Sequence, residues 1–405
     1  MFKFWIIIIF TIIYLFNLLL EIVRMKSAGN PIPENVSDIY DRETYPKWRQ
    51  YHGEKARFSI ISSTVSFLID LVLLVFNVYA AFAGLFPKDV FMQMFSVMLL
   101  SALTQLIMIP FDWHNTMVIE EKYGFNKTTA KTFWGDQIKQ FIIGLVIMTG
   151  VGGLLIETHK LFGDWLILAF AVLMTLILIL VSFVFPVFSR IFNKFRPLED
   201  GELKEKLTGL LEKNGYKVRA IKIMDASRRT TKSDAYFTGF GKMKTIVLYD
   251  TLVESMTTDE ICAVFAHEMG HGLHKDTFRN QLLSFAQMAV IGVLAWLTLR
   301  TLGIFTSFGF SEVNYGFAVI IIMSVEYAFI SPLFSLISNY FSRKAEYRAD
   351  AQAVKEGYAM ELVSALKKLA RQNFSELAPS PLLVKLEYTH PTLSQRIDAI
   401  EKGMK

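Results

Sequence analysis

The chain has 405 residues, of which 53% are hydrophobic and only 20% are charged, and it contains 35 phenylalanines. This composition excludes an ordinary soluble globular protein and points to a membrane protein. The formal net charge of +5 suits a protein that faces anionic lipid, and it gives no reason to expect a nucleic-acid partner. With one cysteine, Cys262, a disulfide framework is excluded.

Long apolar runs are the first feature along the chain. A helix of about 20 apolar residues crosses the roughly 30 Å hydrocarbon core of a bilayer. Seven runs approach or exceed that length, at about 4–20, 59–87, 91–109, 140–156, 165–188, 281–299 and 314–342. We expect the first to be an uncleaved span, because no small-residue cleavage site directly follows it. The sequence therefore predicts a multi-pass, mainly helical membrane protein.

The basic residues between these runs indicate the orientation of the chain. Residues 24–57 and 110–139 are rich in Lys and Arg, whereas the other short loops carry few. Because basic loops stay in the cytosol, the N-terminus is expected outside and the C-terminus in the cytosol. The polar stretch 189–280 is then also cytosolic.

Two polar stretches carry the remaining predicted elements. In the first, periodicity predicts a helix near 200–213 and a strand over 217–225. The segments DAYFTGF and KTIVLYD flank GKMK and predict a β-hairpin. The second stretch is mostly helical, with a Pro-rich break at 378–383. The predicted regions are five spans over 1–188, a cytosolic region over 189–280, two spans over 281–342 and a helical C-terminal region over 343–405.

The stretch FAHEMGHGLHKD, residues 265–276, contains three of the seven histidines. Thr257, with Glu260 three residues later, predicts a capping box that starts a helix through this stretch. His267 and His271 are four residues apart, so both imidazoles share one face and can reach one metal ion.

Glu268 follows the first of these histidines and is rotated from it by about 100° around the helix. That position suits a base for a water molecule that attacks an amide carbonyl better than it suits a third ligand. The resulting His-Glu-x-x-His pattern predicts a zinc peptidase site. The alternative is a solvated polar helix with a weak histidine pair, and His274 is expected at the surface.

A catalytic zinc needs a third protein ligand from elsewhere in the chain. Glu346 and Asp350 are four residues apart in NYFSRKAEYRADAQAV, directly after the last predicted span. Glu346 is a candidate third ligand, and Asp350 a candidate to brace a ligand imidazole. Taken alone, this stretch is weak evidence for a metal ligand, because charged helices are common.

Several motifs together resemble the membrane-embedded zinc CAAX prenyl endopeptidases of type I. The motifs are AHEMGHGLHKD, SRKAEYRADAQA, YTHPTLSQRI, IEEKYGFNKTTAKTF, FNKFRPLEDGEL and KSDAYFTGFGKMKTIVLYDTL. They are spread from about residue 31 to about residue 398. EEKYGFNKTT distinguishes this family from smaller heat-shock-type membrane proteases that share the zinc motif.

The resemblance implies a mainly α fold of about seven transmembrane helices that enclose a water-filled chamber. A small cytosolic zinc-protease-like region with a β-hairpin belongs to the same fold. It also implies one Zn²⁺ per chain and cleavage of isoprenylated Cys-a-a-X proteins near their C-termini. Proteins of this family lie in the endoplasmic reticulum membrane of eukaryotes and the plasma membrane of prokaryotes. The sequence indicates no oligomeric state.

The resemblance also implies roles for individual residues of this chain. The zinc ligands would be His267, His271 and Glu346, and the catalytic residues Glu268, Asp350 and His390. Substrate-binding residues would be Asp234, Ala235, Tyr236 and Arg396. In this scheme His390 steadies the substrate carbonyl.

Asp234 departs from the family, which usually has Asn at this position. The strand resembles the edge strand along which zinc peptidases lay an extended substrate. An ionised Asp only accepts hydrogen bonds, so the change can alter substrate preference. The alternative is that the carboxylate faces water and has no effect.

Two charged residues, Asp70 and Glu326, lie within predicted spans. Charges at membrane depth are costly unless they face water or a partner, so we expect both to line an aqueous interior. The alternative is that the spans are shifted and each residue lies nearer an interface.

Three functions are compatible with these patterns. The first is a prenyl endopeptidase, the second is a broader quality-control zinc protease of the membrane, and the third is a catalytically silent scaffold. An intact His-Glu-x-x-His motif with Glu346 argues against the third.

Overall fold

A computed structural model of the chain describes residues 1–165, 169, 172–177, 180, 191–238, 245–274 and 276–404. The helices in the first half are α1 Phe2–Ser27, α2 Thr44–Val75, α3 Val78–Ala83, α4 Val90–Gln105, α5 Ile109–Trp113 and α6 Ala130–Phe162. The helices in the second half are α7 Glu202–Lys213, α8 Asp250–Ser255, α9 Thr258–Leu273, α10 Asp276–Arg300, α11 Leu302–Ser307, α12 Tyr315–Ile321, α13 Ala328–Lys355, α14 Ala359–Gln372, α15 Pro381–Leu386 and α16 Leu393–Gly403. The strands are β1 Phe195–Pro197, β2 Ala220–Met224, β3 Ala235–Thr238 and β4 Thr245–Tyr249.

Short 3₁₀ and π segments complete the helical part of the described chain. The 3₁₀ turns are Glu34–Val36, Leu106–Met108, Gly163–Trp165 and Ala226–Arg228, and the π segments are His114–Glu120 and Ile322–Tyr327. The 3₁₀ turn at 106–108 joins α4 to α5, and the first π segment continues α5, which gives one helical rod over Val90–Glu120. The second π segment joins α12 and α13 over Tyr315–Lys355.

Within the described residues, six helical rods are long and apolar enough to cross a membrane. They are Phe2–Ser27, Thr44–Val75, Val90–Glu120, Ala130–Phe162, Arg279–Arg300 and Tyr315–Lys355. They confirm six of the seven predicted spans, and the fifth, 165–188, lies largely outside the described residues. The chain is a mainly helical, multi-pass membrane protein.

The second predicted span, 59–87, is confirmed as a helix but extends past the end of that helix. Its helix starts earlier, at Thr44, and it ends at Val75 because Asn77 adopts a left-handed backbone conformation with φ of 55°. The Lys3 ammonium holds this break by donating to the Val75 carbonyl at 2.7 Å and to Asn77 Oδ1 at 2.8 Å. Asn tolerates this conformation better than most residues, and a new short helix, α3, follows it.

The strands form a four-stranded sheet in the described part of the chain, in the order β1-β2-β4-β3. The predicted pairing is confirmed, because β3 runs antiparallel to β4, while the GKMK connection between them lies outside the described residues. β2 confirms the predicted strand and lies parallel to β4, and β1 is a short antiparallel strand that the periodicity did not predict. β3 therefore lies at one edge of the sheet.

Helix α9 lies between two apolar cores. On one side Ala263 and Ala266 pack with Leu362 of α14. On the other side Phe265 and Met269 belong to the core that contains the inward side chains of β4. Burying a side chain such as Phe265 stabilises the fold by roughly 1.5–3 kcal/mol, so α9 is held firmly on both faces.

Candidate active site

The start of α9 is fixed by the predicted capping box. The Thr257 hydroxyl accepts a hydrogen bond from the Glu260 backbone N–H at 3.3 Å, and Glu260 Oε2 accepts one from the Thr257 N–H at 2.8 Å. Glu260 is buried and also receives bonds of 2.6 Å from Ser364 and Lys368 of α14. The cap thus sets both the first turn of α9 and its attachment to α14.

Small residues let α9 and α13 approach each other closely. A Cβ added to Gly270 would lie 2.9 Å from the Ala349 Cα and 3.1 Å from the Gln352 Cβ. Ala349 and its neighbour on the same face, Ala345, are buried at this crossing. Because backbones are nearly in contact here, side chains on the facing turns of the two helices converge.

The residues that converge are His267 and His271 of α9 and Glu346 of α13. Their ligand atoms all lie within 4.8 Å of one another. His267 Nε2 is 3.5 Å from Glu346 Oε2, and His271 Nε2 is 3.2 Å from Glu346 Oε1. Glu346 is only 3% exposed. The structure therefore brings together the three candidate ligands named by the sequence.

A carboxylate holds the other nitrogen of each imidazole. His267 Nδ1 lies 2.8 Å from Asp350 Oδ1, and His271 Nδ1 lies 3.3 Å from Asp276 Oδ2. Both Nε2 atoms consequently point towards Glu346. Carboxylates in this position fix the tautomer and orientation of a metal-binding histidine. Asp350 was predicted for this role, whereas Asp276 was missed, because its spacing of five residues across the end of α9 is not a recognised ligand spacing.

Arg396 lies among these carboxylates. Its guanidinium donates to both oxygens of Asp350, at 3.0 and 2.6 Å, and Nη1 is 3.4 Å from Glu346 Oε2. The residue is only 8% exposed. Arg396 is a predicted substrate-binding residue, and in the structure its contacts are with the acids around His267; its role towards substrate stays a prediction.

His390 lies at the rim of the same cluster. Its Nε2 is 3.3 Å from Glu346 Oε1, and its side chain is 58% exposed. Thr392, two residues later, caps α16 through a capping box with Gln395. This cap starts the helix that carries Arg396. The HPT segment therefore places His390 at the exposed side of the site and positions Arg396 at its buried side.

Glu268 is partly buried beside the triad. Burial disfavours its charged form and raises the pKa of Glu268 to about 7, against the opposing effect of His271. Burial alone would lower the pKa of His271, but the hydrogen bond and negative charge of Glu346 outweigh it and raise that pKa to about 9. The negative charge of Glu346 therefore favours a cation at His271.

Strand β3 presents the predicted substrate edge. The Tyr249 N–H donates to the Asp234 carbonyl at 3.1 Å, so these two residues form a hydrogen-bonded pair. Because bonded and non-bonded pairs alternate in an antiparallel ladder, the main-chain groups of Ala235 point away from β4. The Asp234 carboxylate accepts the outward Ala235 N–H at 2.8 Å. The Tyr236 side chain is half-buried and packs edge-on against Tyr249.

The approach to β3 is anchored by contacts that the sequence did not predict. Asn373, at the end of α14, accepts from the Ser233 N–H and donates to the Ser233 carbonyl, both at 3.1 Å. Lys232 lies 3.5 Å from Glu120 in the EEKYGFNKTT segment and donates to Tyr51 at 3.2 Å. These contacts link the edge strand to α14 and to the polar end of a membrane helix.

The donor set of the triad fits a metal ion. Two imidazole nitrogens and one carboxylate, with the fourth position left to water or substrate, form the usual catalytic zinc set. Glu346 Oε2 is buried and accepts no hydrogen bond among the described residues. A buried carboxylate oxygen without a hydrogen bond is expected where that oxygen binds a metal ion. The three residues therefore fit a divalent metal by number, type and proximity.

Comparisons with known proteins cover nearly the whole chain. A family model described as "CAAX prenyl protease N-terminal, five membrane helices" matches residues 21–194, and one described as "Peptidase family M48" matches residues 197–403. The CAAX prenyl protease 1 of Saccharomyces cerevisiae is 33% identical over 415 residues, covering 93% of this chain and 90% of that protein. The CAAX prenyl protease 1 homologue of Arabidopsis thaliana is 32% identical, covering 96% and 95%.

A solved structure matches equally completely. The crystal structure of S. mikatae Ste24p superposes with a TM-score of 0.91 at 30% identity, covering 99% of both chains. The fold, the motif helix and the long alignments agree, and together they identify the chain as a membrane metallopeptidase of family M48 with a CAAX prenyl protease N-terminal region.

Proposed function

We propose that the protein is a zinc-dependent endopeptidase that cleaves prenylated Cys-a-a-X proteins near their C-termini. The observation that carries this proposal is the convergence of His267, His271 and Glu346 on one buried point beside Glu268. The substrate class rests on relatives named CAAX prenyl protease 1 that align along almost the full length of this chain.

The proposed metal ligands are His267 Nε2, His271 Nε2 and the Glu346 carboxylate. When bound, zinc would supply a Lewis acid for the scissile carbonyl and for water. Asp350 and Asp276 keep the two imidazoles in the tautomer that leaves Nε2 free. Arg396 holds Asp350 with two hydrogen bonds and so acts as a positioning residue.

Two other side chains act on the substrate in this proposal. Glu268 accepts the proton of the attacking water and passes it to the leaving amine, because its raised pKa lets it both take and release a proton. His390 donates a hydrogen bond to the carbonyl oxygen as negative charge develops there, a contribution of typically about 3 kcal/mol. Its position at the exposed rim leaves it accessible to a substrate.

The peptide substrate is proposed to pair with the outer edge of β3. Ala235 offers one N–H and one carbonyl in the outward direction, which is the requirement for adding a strand. The Ala235 N–H is already bonded to Asp234, so the substrate competes with this carboxylate. The strand lies in the polar region that we place in the cytosol.

We also propose that Asp70 and Glu326 face a water-filled interior. Glu326 receives a hydrogen bond of 2.5 Å from Thr298 on α10, and its second oxygen has no hydrogen-bond donor among the described residues. Asp70→Cys and Glu326→Cys in intact membranes should react with a polar maleimide. If neither variant is labelled, the aqueous interior is rejected.

The decisive experiment compares a farnesylated Cys-a-a-X peptide with the same peptide unmodified, using the purified full chain. We expect cleavage of the farnesylated peptide, inhibition by a zinc chelator and recovery on adding Zn²⁺. Equal cleavage of both peptides would favour a broader quality-control protease. No cleavage of either would favour a silent scaffold.

A further inference from the structure

A cavity lies away from the peptidase residues, where two candidate spans meet. It has a volume of about 770 Å³ and is lined by residues of α2 on one side and of the 114–123 segment on the other. On α2, Arg57 directly precedes the long apolar part of the span. The opposite wall includes His114 and Lys122 at the polar end of the rod Val90–Glu120. The cavity is therefore at the expected membrane boundary.

The charge of this cavity comes from two arginines of α2. Arg49 and Arg57 are exposed, and no hydrogen bond or ion pair to either guanidinium occurs in the part of the chain that the structure describes. The other charges compensate each other, because Glu54 is paired with Lys122 at 2.7 Å and accepts the Tyr123 hydroxyl at 2.8 Å. The cavity thus has two cations that are available to an anion.

The space between these cations is open. Arg49, Gly53 and Arg57 follow each other at intervals of four residues, so they share one face of α2. A Cβ added to Gly53 would meet nothing within 4 Å. The missing side chain leaves open space on α2 between Arg49 and Arg57, and the Phe58 ring, stacked on His114 at 4.9 Å, lines the same cavity.

An apolar stripe continues from the cationic end along the same face of α2. Ile61, Leu68 and Val72 are spaced by seven and four residues and are 55%, 50% and 49% exposed. A membrane phospholipid has an anionic phosphate at the boundary and long apolar acyl chains below it. The two arginines and the apolar stripe match these two parts. A free anion would use the arginines but not the stripe.

We propose that this cavity, which we call the Arg49–Arg57 site, binds the headgroup phosphate of an anionic phospholipid, with an acyl chain along the stripe. The site is independent of the peptidase proposal, because it shares no residue with it.

The test measures lipid binding to the purified full chain by native mass spectrometry. Phosphatidylglycerol should bind more tightly than phosphatidylcholine. Each basic residue near a membrane surface contributes about 1 kcal/mol, so R49Q/R57Q should weaken phosphatidylglycerol binding by roughly thirtyfold. Gly53→Leu should weaken it too, because the new side chain fills the gap without changing charge.

The matched control is R42Q/K47Q, which removes two exposed basic residues near the start of α2. Lys47 is rotated by about 200° from Arg49, so this control lies off the proposed face. Binding that is equal for the two lipids, or equally weakened by the control, would overturn the proposal. Displacement of phosphatidylglycerol by millimolar inorganic phosphate would also overturn it, because it would indicate a small-anion site. Thermal unfolding of each variant is measured in parallel to check that it is folded. Gly53→Leu fills the site without removing charge, so it distinguishes blocked space from lost charge.

Discussion

Gly270 of α9 lies so close to Ala349 of α13 that an added Cβ would be 2.9 Å from the Ala349 Cα. Gly270 lies three residues after His267 and directly before His271, and Ala349 lies three residues after Glu346, so the contact sets the distance between the two imidazoles and the carboxylate. The backbone approach, and not only the ligand residues, is therefore part of the candidate metal site.

Gly270→Ala should separate α9 from α13 and weaken metal binding. Overpacking of this kind costs roughly 1–3 kcal/mol, so we expect a lower unfolding temperature as well as a lower zinc content. Elemental analysis and thermal unfolding measure the two effects. The control is Gly209→Ala in α7, where a Cβ meets nothing within 4 Å. A Gly270 variant with full zinc content and wild-type stability would contradict the proposed role of the contact.

Glu268→Gln should abolish nearly all turnover while the bound metal is retained. A general base typically contributes a factor of about 10² to 10⁴ in rate, and Gln cannot accept the proton. The contrasting variant is Glu346→Ala, which should lose metal because it removes one of three ligands. Activity of the Gln variant at the wild-type level would eliminate Glu268 as the base, and unchanged zinc in the Ala variant would eliminate Glu346 as a ligand.

Asp276→Asn should weaken zinc binding by roughly 10- to 100-fold, as is usual for the partner of a metal-binding histidine. The physical reason is that Asp276 accepts from His271 Nδ1 and so keeps Nε2 free for the metal. Competition with a chelator gives the affinity. Asp259→Asn is the control, since Asp259 is an exposed residue in the first turn of α9 that pairs with Lys206. The role is rejected if the two variants have the same affinity.

Asp234→Asn should lower KM with little change in kcat. A hydrogen bond to a charged acceptor contributes about 1.5–3 kcal/mol against 0.5–1.5 kcal/mol for a neutral one, so an amide competes less for the Ala235 N–H. Roughly three- to tenfold tighter substrate binding is expected from that difference. Steady-state kinetics with the farnesylated peptide measure it. An unchanged KM would mean that the carboxylate only faces water.

The periodicity of the sequence predicted the membrane helices better than their ends. Apolar runs identify a span wherever it lies, but the end of α2 depends on Lys3, which is 72 residues from the carbonyl it binds at Val75. The β3–β4 pairing was predicted from two adjacent segments, whereas β1 pairs with a strand more than 20 residues away and was missed. Local patterns carry no information on such contacts.

The candidate site also combines features that local spacing predicts with features that depend on long-range contacts. Residue spacing alone was enough to predict the His267–His271 pair, the position of Glu268 and the Thr257 cap, because helix geometry fixes neighbours within one or two turns. The spacing of Glu346 and Asp350 made them candidates, and the family resemblance supported both. The folded chain was needed to show that Gly270 brings α13 against α9, that Asp276 contacts His271, and that Asn373 holds the chain just before Ala235. Those contacts join residues whose spacing along the chain follows no repeat, so they exist only once the helices and the sheet have packed.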